Sequence, residues 1–167
     1  MKTVVIGQPL AGKATCVAAL SRVLGGKLQQ RKLANPEHPF GFDKAFGCTI
    51  VTGRFQGEFW TISGTPWLSS SWSELLLEAQ SVILVLDAQA DREARNVKAI
   101  EHLAGKELSP GRGRVVVTKT DFVGVAEAHR QLDRLLRGTP QADWPTFVHT
   151  QKTSDVERAR DLVPGFV

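Results

Sequence analysis

Gly7-Gln8-Pro9-Leu10-Ala11-Gly12-Lys13 follows a short apolar segment, Thr3-Val4-Val5-Ile6, and opens a stretch of helical spacing. These residues fill the first seven positions of the phosphate-binding pattern G-x-x-x-x-G-K-[ST]. The glycines let the main chain wrap with its N–H groups turned inward, and the following helix start adds the positive end of a dipole. Lys13 supplies a point charge for the outer phosphates. The eighth position is Ala14, which has no oxygen for Mg²⁺, and Thr15 stands one residue later. The phosphate-binding set expected from this pattern is Gly7, Gln8, Pro9, Leu10, Ala11, Gly12, Lys13, Ala14 and Thr15. Other residues with chemical potential are scattered. His38, His102, His129 and His149 have no Ser or Cys partner at nucleophile spacing, and Glu74 and Glu78 form an i,i+4 pair typical of a solvated helix face.

The elements that must position the loop alternate between strand-like and helix-like runs, the mark of an α/β domain with a mainly parallel sheet. Thr3 to Ile6 reads as a strand and about Ala14 to Leu24 as a helix, with Cys16, Ala19, Leu20 and Val23 at helical spacing. Residues 25–47 lack a clean period and read as a long loop. Cys48–Phe55 and Glu58–Ile62 read as antiparallel strands joined by a tight Gln56-Gly57 turn, which Gly64-Thr65-Pro66 brings to an end. The spacing then predicts a helix over Ser73–Ala79 and a strand over Ser81–Leu86. A helix over 91–104, a strand over Arg114–Thr118 and a helix over 124–137 follow. A strand over Thr146–His149 and a helix over 154–163 complete the chain. No repeat or linker divides residues 1–167, so one domain is expected.

Thr118-Lys119-Thr120-Asp121 ends the strand Val115-Val116-Val117. The tetrapeptide resembles the [NT]-K-x-D guanine-reading motif of the Ras-like small GTPases; read without that family, Asp121 would cap the next helix. In the family the aspartate accepts hydrogen bonds from the guanine N1 and N2 groups and the lysine stem packs on the purine. Thr150-Gln151-Lys152 resembles the guanine loop S-A-K. Trp60-Thr61-Ile62-Ser63-Gly64 falls where the family has W-D-x-x-G, and Thr61-Ile-Ser-Gly64-Thr65 is similar to the T-V-P-G-Q segment of the bacterial gliding-motility (MglA-like) branch. The resemblance implies a single Ras-like G domain. Its fold would be a six-stranded, mainly parallel sheet with one antiparallel edge strand and helices on both faces.

By this resemblance Thr118, Lys119, Asp121, Thr150, Gln151 and Lys152 bind guanine, Lys13 and Gly64 contact the third phosphate, and Thr65 replaces the Gln that positions the attacking water. The switch threonine is Thr49 or Thr52. Ala14 and Thr61 both lack the Mg²⁺-directed group of the family pattern. GTP or GDP is the expected cofactor, with Mg²⁺ weakly held and no protein metal site. The implied function is a guanine-nucleotide switch with slow or partner-assisted hydrolysis; the alternative is a pseudo-GTPase scaffold that binds nucleotide statically or not at all. A Roadblock-type (MglB-like) regulator or an effector would be the protein partner. A P-loop kinase or ATPase leaves Thr118–Asp121 without a role.

Composition narrows the setting. The 167 residues are 42% hydrophobic and 23% charged, which excludes disorder. The longest apolar run, Val82–Leu86, is far too short to span a membrane. A net charge of +4, without a dense basic stripe, argues against nucleic-acid binding. Two cysteines, Cys16 and Cys48, without metal-like spacing suit a reducing cytoplasm. Neither a signal peptide nor a lipidation motif is read, so membrane attachment is expected only through another protein. Trp67 and Trp72 lie in the second switch by resemblance, either as a partner-docking spot or as core.

Overall fold

The computed structural model describes residues 1–52, 55–62, 70–104 and 111–148. In chain order these form β1 (Lys2–Gly7), α1 (Lys13–Leu24), β2 (Lys27–Ala34), β3 (Phe42–Thr52), β4 (Phe55–Ile62) and α2 (Ser70–Leu77). β5 (Ser81–Asp87), α3 (Glu93–Ala104), β6 (Gly113–Thr118), α4 (Val125–Leu136) and β7 (Thr146–Val148) follow. The architecture is mixed α/β: one seven-stranded sheet in the order β2-β3-β4-β1-β5-β6-β7, flanked by helices.

The centre of the sheet follows from sequences that are apolar on both faces. Val4, Val5 and Ile6 of β1 are fully buried, and every residue of β5 is buried. Such strands suit parallel pairing under helices. Accordingly β1 lies parallel to both β4 and β5, and β6 and β7 extend the parallel array. Alternate side chains feed two cores. Val5, Ile83, Val85 and Phe59 meet Val17 and Leu20 of α1. Val4, Ile6, Leu84 and Val117 meet Trp72 and Leu75 of α2, Ala99 and Leu103 of α3, and Leu132 of α4. Among the described residues no helix is long and apolar enough to cross a membrane.

Two sequence expectations are corrected here. The sheet has seven strands rather than six, because residues 25–47 are not a long loop. They contain β2, a turn and the start of β3, paired antiparallel from Lys27↔Thr49 to Ala34↔Phe42. Consequently the antiparallel strand, β3, is covered by β2 instead of lying at the edge. The turn is built by Asn35, whose N–H donates to the Gly41 carbonyl (3.0 Å) while its Oδ1 accepts from the Glu37 N–H (3.1 Å). β2 escaped the pattern because Leu33 is its one buried residue; Lys27, Leu28, Gln30 and Lys32 are exposed. Lys32 stands opposite Lys44, also exposed, and its ammonium lies over the Phe42 ring at 4.2 Å.

The second correction concerns the β3–β4 hairpin. Gln56 and Gly57 belong to β4, where they pair with Val51 and Ile50, and Thr52 stands opposite Phe55. Smaller shifts affect the helices. α2 starts at Ser70 and ends at Leu77, and α3 begins at Glu93 after a single turn over Ala90–Arg92. The helix expected over 154–163 lies outside the described residues.

Because Leu33 alone anchors β2 in the core, it tests whether this segment is a strand. Leu33→Ala is expected to lose about 3 kcal/mol in urea denaturation, the usual cost of emptying a buried leucine site. Lys32→Ala next to it should stay within about 0.5 kcal/mol.

Candidate functional site

The loop between β1 and α1 is shaped by close approach and by left-handed backbone. At Gly7 a Cβ would come within 2.4 Å of the Val85 carbonyl oxygen, so the end of β1 has no room for a side chain. The Ala11 N–H donates to the Gln8 carbonyl at 3.1 Å, closing a turn. Leu10 (φ 69°) and Gly12 (φ 93°) then adopt left-handed conformations. For Gly12 this is cheap; for Leu10, which is 73% exposed, it costs about 1–2 kcal/mol of local strain. α1 starts without a side-chain cap or an acidic residue in its first turn, so neither offsets the positive end formed by its N-terminal N–H groups.

Lys13 is the first residue of that helix and is only 4% exposed. Its Nζ donates to the Gln8 carbonyl at 2.9 Å and lies 5.9 Å from the centre of the Trp72 ring. No carboxylate pairs with it among the described residues. Burial without a countercharge pushes its pKa down to about 8. Two further buried polar groups, Gln8 Nε2 and Thr61 Oγ1, have no hydrogen-bond partner among the described residues.

The second motif joins the loop directly. Thr118, the last residue of β6, shares its hydroxyl hydrogen between the Ala11 carbonyl (2.8 Å) and the Leu86 carbonyl (3.2 Å). Residues 107 positions apart in sequence are thereby fastened together. Lys119 follows in a left-handed conformation (φ 58°), and its Nζ pairs with Asp87 Oδ2 at 2.5 Å and with Gln89 Oε1 at 3.3 Å. Asp87 is 3% exposed and ends β5, where the Asn96 side-chain amide brackets its backbone: Oδ1 accepts from the Asp87 N–H (3.2 Å) and Nδ2 donates to its carbonyl (2.7 Å). Asp121 is exposed on the single turn Thr120–Phe122. It does not cap α4, because Gly124 holds that position. Among the described residues, Leu10 and Lys119 are the two non-glycine residues with positive φ, one in each motif. Strain of this kind persists where the surroundings enforce it, and it gathers at ligand sites.

The remaining site expectations divide. Ala14 is half-buried, and Thr15 is exposed on the first turn of α1. Pro9 is half-buried beside Leu10. Thr49 and Thr52 are both in β3, and neither can serve as the switch threonine. Thr49 pairs with Glu58, which pairs with Lys2, so it lies level with the start of β1. That is about 16 Å along the strand from Gly7. Thr52 is farther still. Ser63, Gly64, Thr65, Trp67, Thr150, Gln151 and Lys152 lie outside the described residues. Trp72 is 1% exposed and belongs to the core, not to an open docking spot.

The fit to Mg²⁺ is poor. Ala14 offers no oxygen, the Thr61 hydroxyl is fully buried, and no group of three or more His, Cys, Asp or Glu is found among the described residues. Asp87 and Gln89 are the site residues that sequence reasoning missed; Trp72 was singled out, but its contact with Lys13 left no trace in the sequence. A carboxylate closing an apolar strand was the available signal for Asp87. No family model matches this sequence, and no curated protein shows significant similarity to it.

The buried charge gives a sign-determined prediction. Lys13 has a folded pKa of about 8, below its ordinary 10.5, so the unfolded chain holds more protons between those values. Stability contributed by this residue should therefore rise as pH increases from about 8 to 10.5. Lys13→Met removes the penalty and should stabilise the protein at pH 7 by up to about 3 kcal/mol. In urea denaturation that advantage should shrink as the pH approaches 10.5.

Proposed function

We propose that this chain binds guanine nucleotides in the manner of a Ras-like G domain, with hydrolysis slow or dependent on a protein partner. The observation that carries the reading is the hydrogen bond from Thr118 to Ala11. It locks a phosphate-type loop and a guanine-type tetrapeptide into one rigid piece, as a ligand with phosphates at one end and a base at the other requires. The sheet supports it as well: without β2, six strands remain, and β3 is the one antiparallel member.

The residues have distinct roles in this reading. Main-chain N–H groups of the loop and the start of α1 surround the diphosphate. Lys13, which has no carboxylate partner among the described residues, receives a countercharge from the phosphates, which turns its folding cost into binding energy. Asp87 and Gln89 fix Lys119, so that its stem forms a preset wall for the purine. Asp121 accepts from the guanine N1 and N2 groups, and adenine leaves it unpaired. A bound nucleotide supplies its own anionic oxygens for Mg²⁺, since among the described residues no group of three or more His, Cys, Asp or Glu is gathered to hold the ion. A static, non-hydrolysing module is the second reading, favoured by the placement of Thr49 and Thr52 at the wrong end of the sheet. A Roadblock-type regulator fits the first reading, and a scaffold partner the second.

Calorimetric titration of the purified chain with GDP, GTP and ATP tests this proposal. GDP and GTP should bind at least about 100-fold more tightly than ATP, because adenine offers the Asp121 carboxylate no matching pair of N–H donors. Asp121→Asn should shift preference toward xanthine nucleotides. Equal affinity for ATP and GTP, or no binding of either, defeats the proposal. Phosphate release over many turnovers would eliminate the static reading.

A further inference from the structure

The two outermost strands on the antiparallel side of the sheet extend beyond α1. Residues directly opposite in an antiparallel pair share a face, so Leu28 stands with Cys48, Gln30 with Phe46 and Lys32 with Lys44. At the Cys48 end this face is covered by α1. The Cys48 Sγ reaches the Val17 carbonyl at 3.7 Å, and Ile50 joins the core that holds Val17 and Leu20. Toward the β2–β3 turn the same face is open. Lys32 and Lys44 are exposed there, and Phe42 and Phe46, two residues to either side of Lys44, are half-buried. Leu28, farther along β2, is 48% exposed. The charges on this face have one sign. The single carboxylate of the two strands, Asp43, pairs with Leu33 on the opposite face, where it is 2% exposed and accepts from Asn35 Nδ2 at 2.8 Å. Neither lysine has an ion pair among the described residues. The Lys32 ammonium lies over the Phe42 ring at 4.2 Å, and like charges directly opposite across two strands are destabilising.

We propose that this face of β2 and β3 docks an acidic segment of another protein, with carboxylates on Lys32 and Lys44 and an apolar side chain against Leu28. The proposal stands apart from the nucleotide reading. Leu28 is four residues from Lys32 on the same face, about 13 Å along the strand, so one short extended segment reaches all three side chains. Carboxylates placed there relieve the repulsion between the two ammonium groups, and the complementary charge selects the partner. Other occupants fit less well. Segments that bind anionic lipid carry clusters of about four to eight basic residues, and this face has Lys32 and Lys44 alone. Single-stranded nucleic acid stacks its bases on open aromatic rings, whereas Phe42 is half-buried with an ammonium over its ring. A second copy of the chain would bring further lysines to the same place.

The probe is a short fluorescein-labelled peptide carrying Glu-Ser-Glu-Ser-Leu, whose two carboxylates and leucine share one face when the peptide is extended. Fluorescence anisotropy during titration with the full chain at low salt measures its affinity. The peptide should bind, and more weakly as salt is raised. The same peptide with Gln in place of Glu should bind about twofold to thirtyfold more weakly, the range that two exposed ion pairs span. Lys44→Glu gives Lys32 an opposite charge across the strands, so it should unfold in urea no earlier than the wild type and still lose binding by at least the same factor. Backbone amide NMR shifts on addition of the peptide should be largest at residues 28–32 and 42–46. No binding of the acidic peptide, undiminished binding by Lys44→Glu, or shifts centred elsewhere overturns the proposal. Tighter binding of a single-stranded oligonucleotide or of phosphatidylserine vesicles at the same lysines overturns the assignment to an acidic protein.

Discussion

A lysine ammonium removed from water, with no carboxylate beside it among the described residues, is the constraint around which this site is organised. Lys13 is buried by the loop and by α2, and its partners are a neutral carbonyl and an aromatic face. Neither compensates a full charge, and the depressed pKa reflects the remaining cost. Lys13 belongs to neither of the two hydrophobic cores. A destabilising group at the start of the first helix, where no side-chain cap and no acidic residue of the first turn offset the N–H groups, is the feature on which the proposed phosphate site rests.

The rest of the site holds that charge in register. Gly7 lets β1 run against β5, and the turn that follows delivers Lys13 to the head of α1. Thr118 fixes the middle of the loop from the neighbouring end of β6. The pair Asp87–Lys119 performs the corresponding task one residue later, and the strained backbone at Lys119 is held by that pair and by the turn behind it. Three strand ends, β1, β5 and β6, therefore converge at one edge of the sheet, the usual place for a ligand in an open α/β architecture.

Legibility in the sequence followed burial. β1, β5 and β6 were readable because continuous apolar runs between turn signals leave few alternatives, and the glycine-lysine loop was readable because its spacing has a geometric reason. β2 was not. An edge strand with one buried residue, Leu33, and charges on both faces has no alternation to detect. Its absence from the sequence reading had a cost beyond the strand count, since it left Thr49 and Thr52 as switch candidates. Pairing alone reveals that both lie at the far end of the sheet. Contacts between distant segments, such as Lys13 with Trp72 and Lys119 with Asp87, leave no local trace either.

The extra strand also determines how the sheet ends. With β2 in place, the outermost row of peptide groups belongs to a segment carrying Lys27 and Lys32, while Lys44 stands beside Lys32 on the next strand. A second copy aligning its own β2 along that row would bring ammonium groups together on an exposed surface, which discourages edge-to-edge growth. The strand that extends the sheet thus also carries the charges that oppose its further growth at this edge.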